Sequence, residues 1–227
     1  MAGPRVSRQA SVALVIVSML ILSGCSGAGH VTDRDRLQAQ NAYEVAAKHL
    51  ERREFAPALT ALQQANALDP NVAVYRNALG VVLLQLRRAD LAQAEFKRAT
   101  EIDGDYAEAQ LNLGIAHAEQ QQWAAAVAAY ERALKSPRLM STDVAYHNLG
   151  LALYHLQRYS EAEQALRFAI SLDPELAPGY YHLGLVMLAT NRRNDARSAF
   201  QRARELAPNS PLSQEAGERL KTLGDGG

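Results

Sequence analysis

Apolar residues along the chain recur with a helical period, and glycine interrupts them at a fixed place. Four such glycines, Gly80, Gly114, Gly150 and Gly184, follow one another at intervals of 34, 36 and 34 residues. Twelve residues after each glycine stands an alanine, then a large residue, then a second alanine. A first unit, which precedes Gly80, has the same three positions. The first alanines are Ala58, Ala92, Ala126, Ala162 and Ala196, the large residues are Leu62, Phe96, Tyr130, Leu166 and Phe200, and the second alanines are Ala65, Ala99, Ala133, Ala169 and Ala203. Such a period predicts stacked helical repeats.

Each unit ends in turn residues, as in Leu68-Asp-Pro70 and Leu172-Asp-Pro174, and proline stops a helix because it has no N–H to donate. The pattern resembles the tetratricopeptide repeat, a helix–turn–helix unit. The resemblance implies an all-α, right-handed superhelical solenoid. The five expected units are residues 39–72, 73–106, 107–142, 143–176 and 177–210, and residues 211–227 are expected to form a capping helix and tail.

Two departures from a uniform repeat stand out, and one further feature supports the register. The third unit has two extra residues within 135–142, so a longer or kinked connection should follow it. In the first unit, Ala46 replaces the glycine. In the fourth, Ser160 and Glu163 have the spacing of a capping box, which predicts the start of a second helix there.

The N-terminal residues have the pattern of a secretory signal. Arg5 and Arg8 precede the apolar run from Ser11 to Leu22, which is shorter than the roughly 20 residues of a membrane-spanning helix. The sequence Leu22-Ser23-Gly24-Cys25 then resembles the bacterial lipoprotein box. That resemblance implies cleavage after residue 24 and a covalent lipid on Cys25, with residues 25–38 as acylated N-terminus and flexible tether. The alternative, a reactive thiol, lacks the charged neighbours that activate one.

The residue after the cysteine bears on localisation. Ser26 stands where aspartate would be the usual signal for retention in the inner membrane, so we expect an outer-membrane lipoprotein that faces the periplasm of a Gram-negative bacterium. The charges of the chain balance, with 24 Lys and Arg against 24 Asp and Glu, which argues against nucleic acid as a partner.

In tetratricopeptide proteins the first helix of each unit lines the concave face, which implies a candidate binding groove. The groove residues read off on that basis are Tyr43, Asn77, Val81, Leu84, Leu111, Ile115, His147, Leu151, Tyr154, Tyr181, Leu185 and Leu188. The set contains no lysine or arginine, so it suits an amphipathic helix, an apolar peptide or an acyl chain better than a free carboxylate. The alternative is that some of these residues only pack between helices.

Motifs that carry catalytic chemistry are missing from the sequence. There is no HExxH motif, no phosphate-binding glycine loop and no nucleophile elbow. His147 and His155 lie about 12 Å apart along one predicted helix, too far to share a metal. We therefore expect no enzyme, no metal and no cofactor other than the lipid on Cys25.

A lipoprotein box, a short tether and a repeat array together resemble the type IV pilus pilotin family, which assists the outer-membrane secretin. The run Asp143-Val-Ala-Tyr-His-Asn-Leu-Gly-Leu151 adds to that resemblance. It implies a scaffold that binds a secretin subunit or another envelope component, while its acyl chains sit in the bilayer. The alternatives are an adaptor lipoprotein that recruits peptidoglycan enzymes, a protease or polysaccharide-export components, and a co-chaperone with an unmodified Cys25. The sequence leaves the oligomeric state open.

Overall fold

The structure, a computed structural model, describes residues 31–224 and contains only helices and their connections in that range. The elements are α1 Asp33–Glu51, α2 Phe55–Leu68, α3 Ala73–Gln85, α4 Ala89–Ile102, α5 Ala107–Glu119, α6 Trp123–Leu134, α7 Thr142–His155, α8 Tyr159–Leu172, α9 Ala177–Ala189, α10 Arg193–Leu206 and α11 Pro211–Gly224. This architecture confirms the all-α repeat fold that the sequence predicts.

The helices pack as consecutive antiparallel pairs, α1 with α2 through to α9 with α10. The first helices of successive pairs also contact one another, α3 with α5, α5 with α7, and α7 with α9. Because each pair rests on the next, the apolar faces form buried clusters that run through α1–α6 and α5–α11. The first helices therefore form a common layer, which is where a binding groove would lie.

The repeated glycines and large residues fit one another directly. A Cβ atom on Gly80 would stand 2.5 Å from the Phe96 ring, and one on Gly184 would stand 2.6 Å from Phe200. Phe96 and Phe200 are fully buried, as are the equivalent large residues in the other units. The glycine is thus required because the second helix places its large side chain against the backbone of the first.

The turn inside each pair has one residue in the left-handed backbone region. These residues are Arg53, Arg87, Gln121, Gln157 and Asn191, with φ between 58° and 60°. The following N–H reaches back over the turn, as where Arg88 N donates to Leu83 O at 2.9 Å. This is the hydrogen bond of a Schellman motif, in which glycine is the usual residue.

At two helix starts a sequence prediction is wrong in part: residues 33–38 are not tether, and the helix that does start beside Ser160 has no capping box. Helix α1 begins at Asp33, so residues 33–38 are helical rather than tether. A capping box between Thr32 and Asp35 starts it, with Asp35 N donating to Thr32 Oγ1 at 3.1 Å. Helix α8 begins at Tyr159 without a side-chain cap, because Ser160 already lies inside the helix and Glu163 pairs with Arg167 and Arg192.

The connection after the third pair is longer than the others, in line with the two extra residues. Helix α6 ends at Leu134 and α7 starts at Thr142, and Leu139 in between is buried. At the other end of the array, α11 packs against α10 and α9 and buries Ala216 and Leu223. It covers an apolar face that a further unit would otherwise cover.

Among residues 31–224 we find no helix both long enough and apolar enough to cross a membrane. The predicted signal peptide and Cys25 lie outside the described residues.

Candidate protein-binding groove

Ten of the twelve candidate groove residues keep some exposure on the first-helix layer, whereas two lie inside the core. The ten partly buried residues are Tyr43, Asn77, Val81, Leu84, Ile115, His147, Leu151, Tyr154, Leu185 and Leu188. Leu111 and Tyr181 are only 5% and 7% exposed. Tyr181 packs its ring 5.6 Å from that of Phe200, and Leu111 belongs to the same buried cluster. These two residues therefore support the layer and do not form its surface.

Asn77 joins the second and third units by hydrogen bonds. Its Nδ2 donates to the Tyr106 hydroxyl at 3.2 Å, and its Oδ1 accepts from Asn112 Nδ2 at 2.9 Å. Burial raises the pKa of Tyr106, so the phenol stays protonated. Because both ends of the Asn77 amide are engaged, this residue holds neighbouring helices together.

His147 joins the fourth and fifth units in a similar way. Its Nε2 lies 2.8 Å from Nδ1 of His182, a distance at which one ring donates and the other accepts. Burial lowers the pKa of His147. Burial and the neighbouring His147 lower the pKa of His182 to about 3. The pair is therefore neutral near pH 7. It could not be predicted from the sequence because the two residues are 35 positions apart in the chain.

An apolar cavity opens between α5 and α7, on the first-helix layer. This apolar pocket has a volume of about 280 Å³. It is lined by Ile115, Ala118, Glu119, Trp123, Tyr130, Asn148, Leu151 and Ala152. Small-molecule sites usually span about 300–1,000 Å³, so the pocket suits one or two anchoring side chains of a peptide. Ile115 and Leu151, both predicted groove residues, form opposite walls of it on α5 and α7.

Aromatic side chains extend the apolar pocket toward the end of α7. Trp123 stacks on His155 with ring centroids 4.0 Å apart and an interplanar angle of 8°. Tyr154 meets the edge of His155 at 5.6 Å and lies 5.9 Å from Tyr159. Burial lowers the pKa of His155, so its ring is neutral near pH 7. Rigid aromatic groups of this kind are typical anchors of protein interfaces.

The predicted groove set lacks six of the eight residues that line the pocket, and Trp123 and Asn148 are the two of these with the most binding chemistry. Trp123 is the first residue of a second helix, and the groove was read from first helices alone. Asn148 lies one position after His147 in its helix, next to the positions chosen. The single tryptophan of the chain was the available signal for the first, since tryptophan is enriched at binding hot spots.

The chemistry of the pocket is that of binding. Its lining has one carboxylate, Glu119, and one amide, Asn148, among apolar and aromatic groups. Across residues 31–224, no three His, Cys, Asp or Glu side chains converge in a way that could hold a metal ion. The apolar pocket can therefore take up an apolar side chain and hydrogen-bond the backbone beside it.

Comparison with known proteins agrees with the repeat pattern. Models of the tetratricopeptide repeat match residues 78–139, 144–176 and 179–210. Over 206 residues the chain is 30% identical to the type IV pilus assembly protein PilF of Pseudomonas aeruginosa, covering 88% of this chain and 68% of that protein. The chain belongs to the tetratricopeptide-repeat family and is related to PilF.

Other proteins are similar to this chain over a smaller share of their length or at lower sequence identity. The chain is 30% identical over 123 residues to the RNA polymerase-associated protein CTR9 of Caenorhabditis elegans, of which it spans only 11%. Among solved structures, the type IV pilus biogenesis factor PilW superposes with a TM-score of 0.72 at 19% identity, over 81% of this chain and 86% of that one. At that identity PilW supports the fold alone.

Proposed function

We propose that this protein is a membrane-anchored scaffold of type IV pilus biogenesis that binds a secretin subunit and assists its outer-membrane localisation or multimerisation. The observation that carries the proposal is the apolar pocket between α5 and α7, within a chain related to PilF along most of its length. The protein acts by binding alone and performs no catalysis.

The partner segment that fits the apolar pocket is a peptide with a large apolar side chain. That side chain lies between Ile115 and Leu151 and reaches Trp123, while Asn148 is placed to bond the peptide backbone. Burying it removes apolar area from water, which contributes about 1.5–3 kcal/mol for a residue such as leucine or phenylalanine. The groove's polar residues Asn77 and His147 take no part, since each is bonded to a neighbouring unit.

The anchor supplies the rest of the affinity in this proposal. Two or three acyl chains on Cys25 hold the protein stably at the inner leaflet of the outer membrane, where a single chain would not. Confinement to that surface raises the local concentration of groove and partner, so that a modest affinity of the pocket is sufficient.

The binding role is tested by placing a charge in the apolar pocket. Leu151→Glu should weaken binding of the purified secretin subunit at least about tenfold, because an unpaired carboxylate would be desolvated against an apolar partner. Leu91→Glu is the matched control, since Leu91 is 48% exposed on α4 and lies outside the pocket lining. Equal secretin binding by both variants, measured by surface plasmon resonance, would remove the proposal.

The anchor is tested separately. Cells grown with an alkyne-labelled fatty acid should incorporate label into the wild-type protein and not into Cys25→Ala. Label in both forms, or in neither, contradicts a lipid on Cys25. The secretin binding of the purified Cys25→Ala protein should match that of the wild type, which separates the anchor from the groove.

A further inference from the structure

The third repeat unit differs from the fourth and fifth at a gap between its two helices. In the fourth unit Tyr146 stacks on Phe168 with ring centroids 5.2 Å apart, which fills that gap. In the fifth unit, the equivalent residues are Tyr180 and Arg202, so an aromatic ring is again present on the first helix. The third unit has Gln110 and Arg132 at these positions. With no aromatic ring there, a cavity of about 370 Å³ remains between α5, the end of α6 and the connection that follows it.

Positive charge is concentrated around this cavity, which we term the basic pocket. Arg132, Lys135 and Arg138 all line it, and Asp105 is the one carboxylate in the lining. Arg98 and Arg202, the counterparts of Arg132, pair with Glu101 and Glu205 three residues later, at 3.1 Å and 3.0 Å. In the third unit the residue three later is Lys135, so the charge at that position is reversed.

No carboxylate neutralises the three cations within the described range. Among residues 31–224, neither Arg132 nor Lys135 nor Arg138 has a carboxylate oxygen within 4.0 Å. Arg138 belongs to the longer connection of this unit, so the extra residues bring in the third cation. The pocket thus has an excess of hydrogen-bond donors that favour oxyanions.

Gln110 contributes a hydrogen-bond acceptor to a pocket that otherwise offers mainly donors. Its side chain lines the basic pocket but is only 7% exposed, and its Oε1 has no hydrogen-bond partner. A buried acceptor without a partner destabilises the protein by about 1–3 kcal/mol. A ligand that donates a hydrogen bond to this acceptor removes that cost, which favours binding. Inorganic phosphate at neutral pH offers mainly acceptors, whereas a polypeptide offers backbone N–H groups together with acidic side chains.

We propose that the basic pocket binds an acidic segment of a partner polypeptide. Arg132, Lys135 and Arg138 hold its carboxylates, and a backbone N–H of the segment bonds the Gln110 amide. The site lies against the first turn of α5, whereas the apolar pocket uses the other half of that helix, from Ile115 to Glu119. The inference rests on the proposed function only in taking a protein as the ligand, and a different partner or segment could occupy each pocket.

The direct test is a titration of the full-length, ¹⁵N-labelled chain with a short peptide of alternating glutamate and glycine. The expected shifts are at the amides of Gly104 and Arg138 and at the side-chain amide of Gln110, at low salt. Binding should weaken as salt is added, because exposed ion pairs are screened. A peptide with glutamine in place of glutamate should bind far more weakly. Equal binding of both peptides would overturn the proposal.

Variants locate the site and separate it from the groove. Arg132→Gln with Arg138→Gln should weaken the acidic peptide about three- to tenfold, as expected for two exposed ion pairs. Arg98→Gln with Arg202→Gln, which removes the paired counterparts, should leave binding unchanged. Gln110→Tyr should abolish binding, because the tyrosine ring would fill the gap as Tyr146 does in the fourth unit. Leu151→Glu should have no effect on this peptide.

Two outcomes would overturn the inference whatever becomes of the apolar pocket. Inorganic phosphate is the first alternative ligand. If phosphate shifts the same amides and the acidic peptide, added afterwards, does not displace it, the pocket is a phosphate site. If the double variant Arg132→Gln, Arg138→Gln lowers the melting temperature but binds the peptide as the wild type does, these arginines only stabilise the carboxyl end of α6.

Discussion

At the scale of single residues, each helix–turn–helix depends on one residue that adopts the left-handed backbone region. Gln121 does so with φ of 58° between α5 and α6. A residue with a Cβ is strained in that conformation, whereas glycine adopts it without strain. The position was not found from the sequence because none of the five inner turns has glycine there.

Gln121→Gly should therefore stabilise the protein, by about 0.5–1 kcal/mol in the free energy of unfolding. Ala128→Gly is the control, because Ala128 is an exposed residue inside α6, where glycine costs about 1 kcal/mol. Thermal denaturation followed by circular dichroism should show a higher melting temperature for the first variant and a lower one for the second. A decrease in both would show that the turn does not depend on the left-handed residue.

The histidine pair between α7 and α9 makes stability depend on pH. The pKa of His182 is lowered to about 3 in the folded protein, by burial and by His147. Its unfolded value is near 6.5, so the unfolded chain binds the proton more readily. The contribution to stability is complete above about pH 6.5 and is lost as the pH falls from there toward 3.

We expect the wild type to lose about 1–2 kcal/mol of folding free energy between pH 7 and pH 5 through this group. His182→Asn should lose less over the same interval, since asparagine keeps a hydrogen-bonding group and does not titrate. Asn112→Ser serves as the control, because it breaks the inter-unit bond to Asn77 without removing a titratable group, and its pH dependence should follow the wild type. Urea denaturation at each pH measures the difference, and identical slopes for His182→Asn and the wild type would contradict this account.

At the scale of the helix, the contact between glycine and the large residue sets the packing of each pair. A Cβ on Gly150 would stand 2.6 Å from Leu166 Cγ and 3.2 Å from the Ala162 carbonyl oxygen. The side chain could turn aside, but the carbonyl belongs to the backbone of α8. Relief of this contact therefore requires the two helices to move apart.

Gly150→Ala should destabilise the protein by about 1–2 kcal/mol, because overpacking outweighs the better helix propensity of alanine. Gly217→Ala provides the comparison, since its nearest neighbour is Arg204 Nε at 3.8 Å and only the propensity gain remains. Thermal melts should move in opposite directions for the two variants. A rise for Gly150→Ala would mean that the pair is held in some other way.

The start of each helix was less well predicted than its packing face. The spacing of Ser160 and Glu163 predicts a capping box, but the turn before α8 is closed by main-chain bonds, with Arg158 N donating to Leu153 O at 2.9 Å. The boundary is therefore set by the turn that the repeat imposes. At α1, the first of the described helices, the side-chain cap of Thr32 and Asp35 does set the boundary.

At the scale of the whole molecule, the fold could be predicted because one packing rule repeats. Glycine, alanine and a large residue recur at fixed spacing, so one unit explains the others, and all the large residues of the set are buried. The candidate groove could be predicted only in part. Ile115 and Leu151 do line the apolar pocket, but whether Leu111 or Tyr181 reaches the surface depends on how neighbouring units rotate against each other.

Bonds between units could not be derived from the sequence. Asn77 pairs with Asn112 and His147 pairs with His182, each 35 residues away. Such pairs form only once the solenoid brings first helices side by side, and no spacing within one unit reveals them. The same applies to the basic pocket, which arises from a missing aromatic ring and from extra residues in the following connection.

The central claim is that the apolar pocket between α5 and α7 contacts the partner, and site-specific photo-crosslinking in cells tests it most directly. A photoreactive phenylalanine analogue at position 151 lies in the pocket, and one at position 91 lies outside it. The account predicts a crosslink from position 151 to a secretin subunit, identified by mass spectrometry, and none from position 91. Crosslinks to secretin from both positions alike, or from neither, would contradict it.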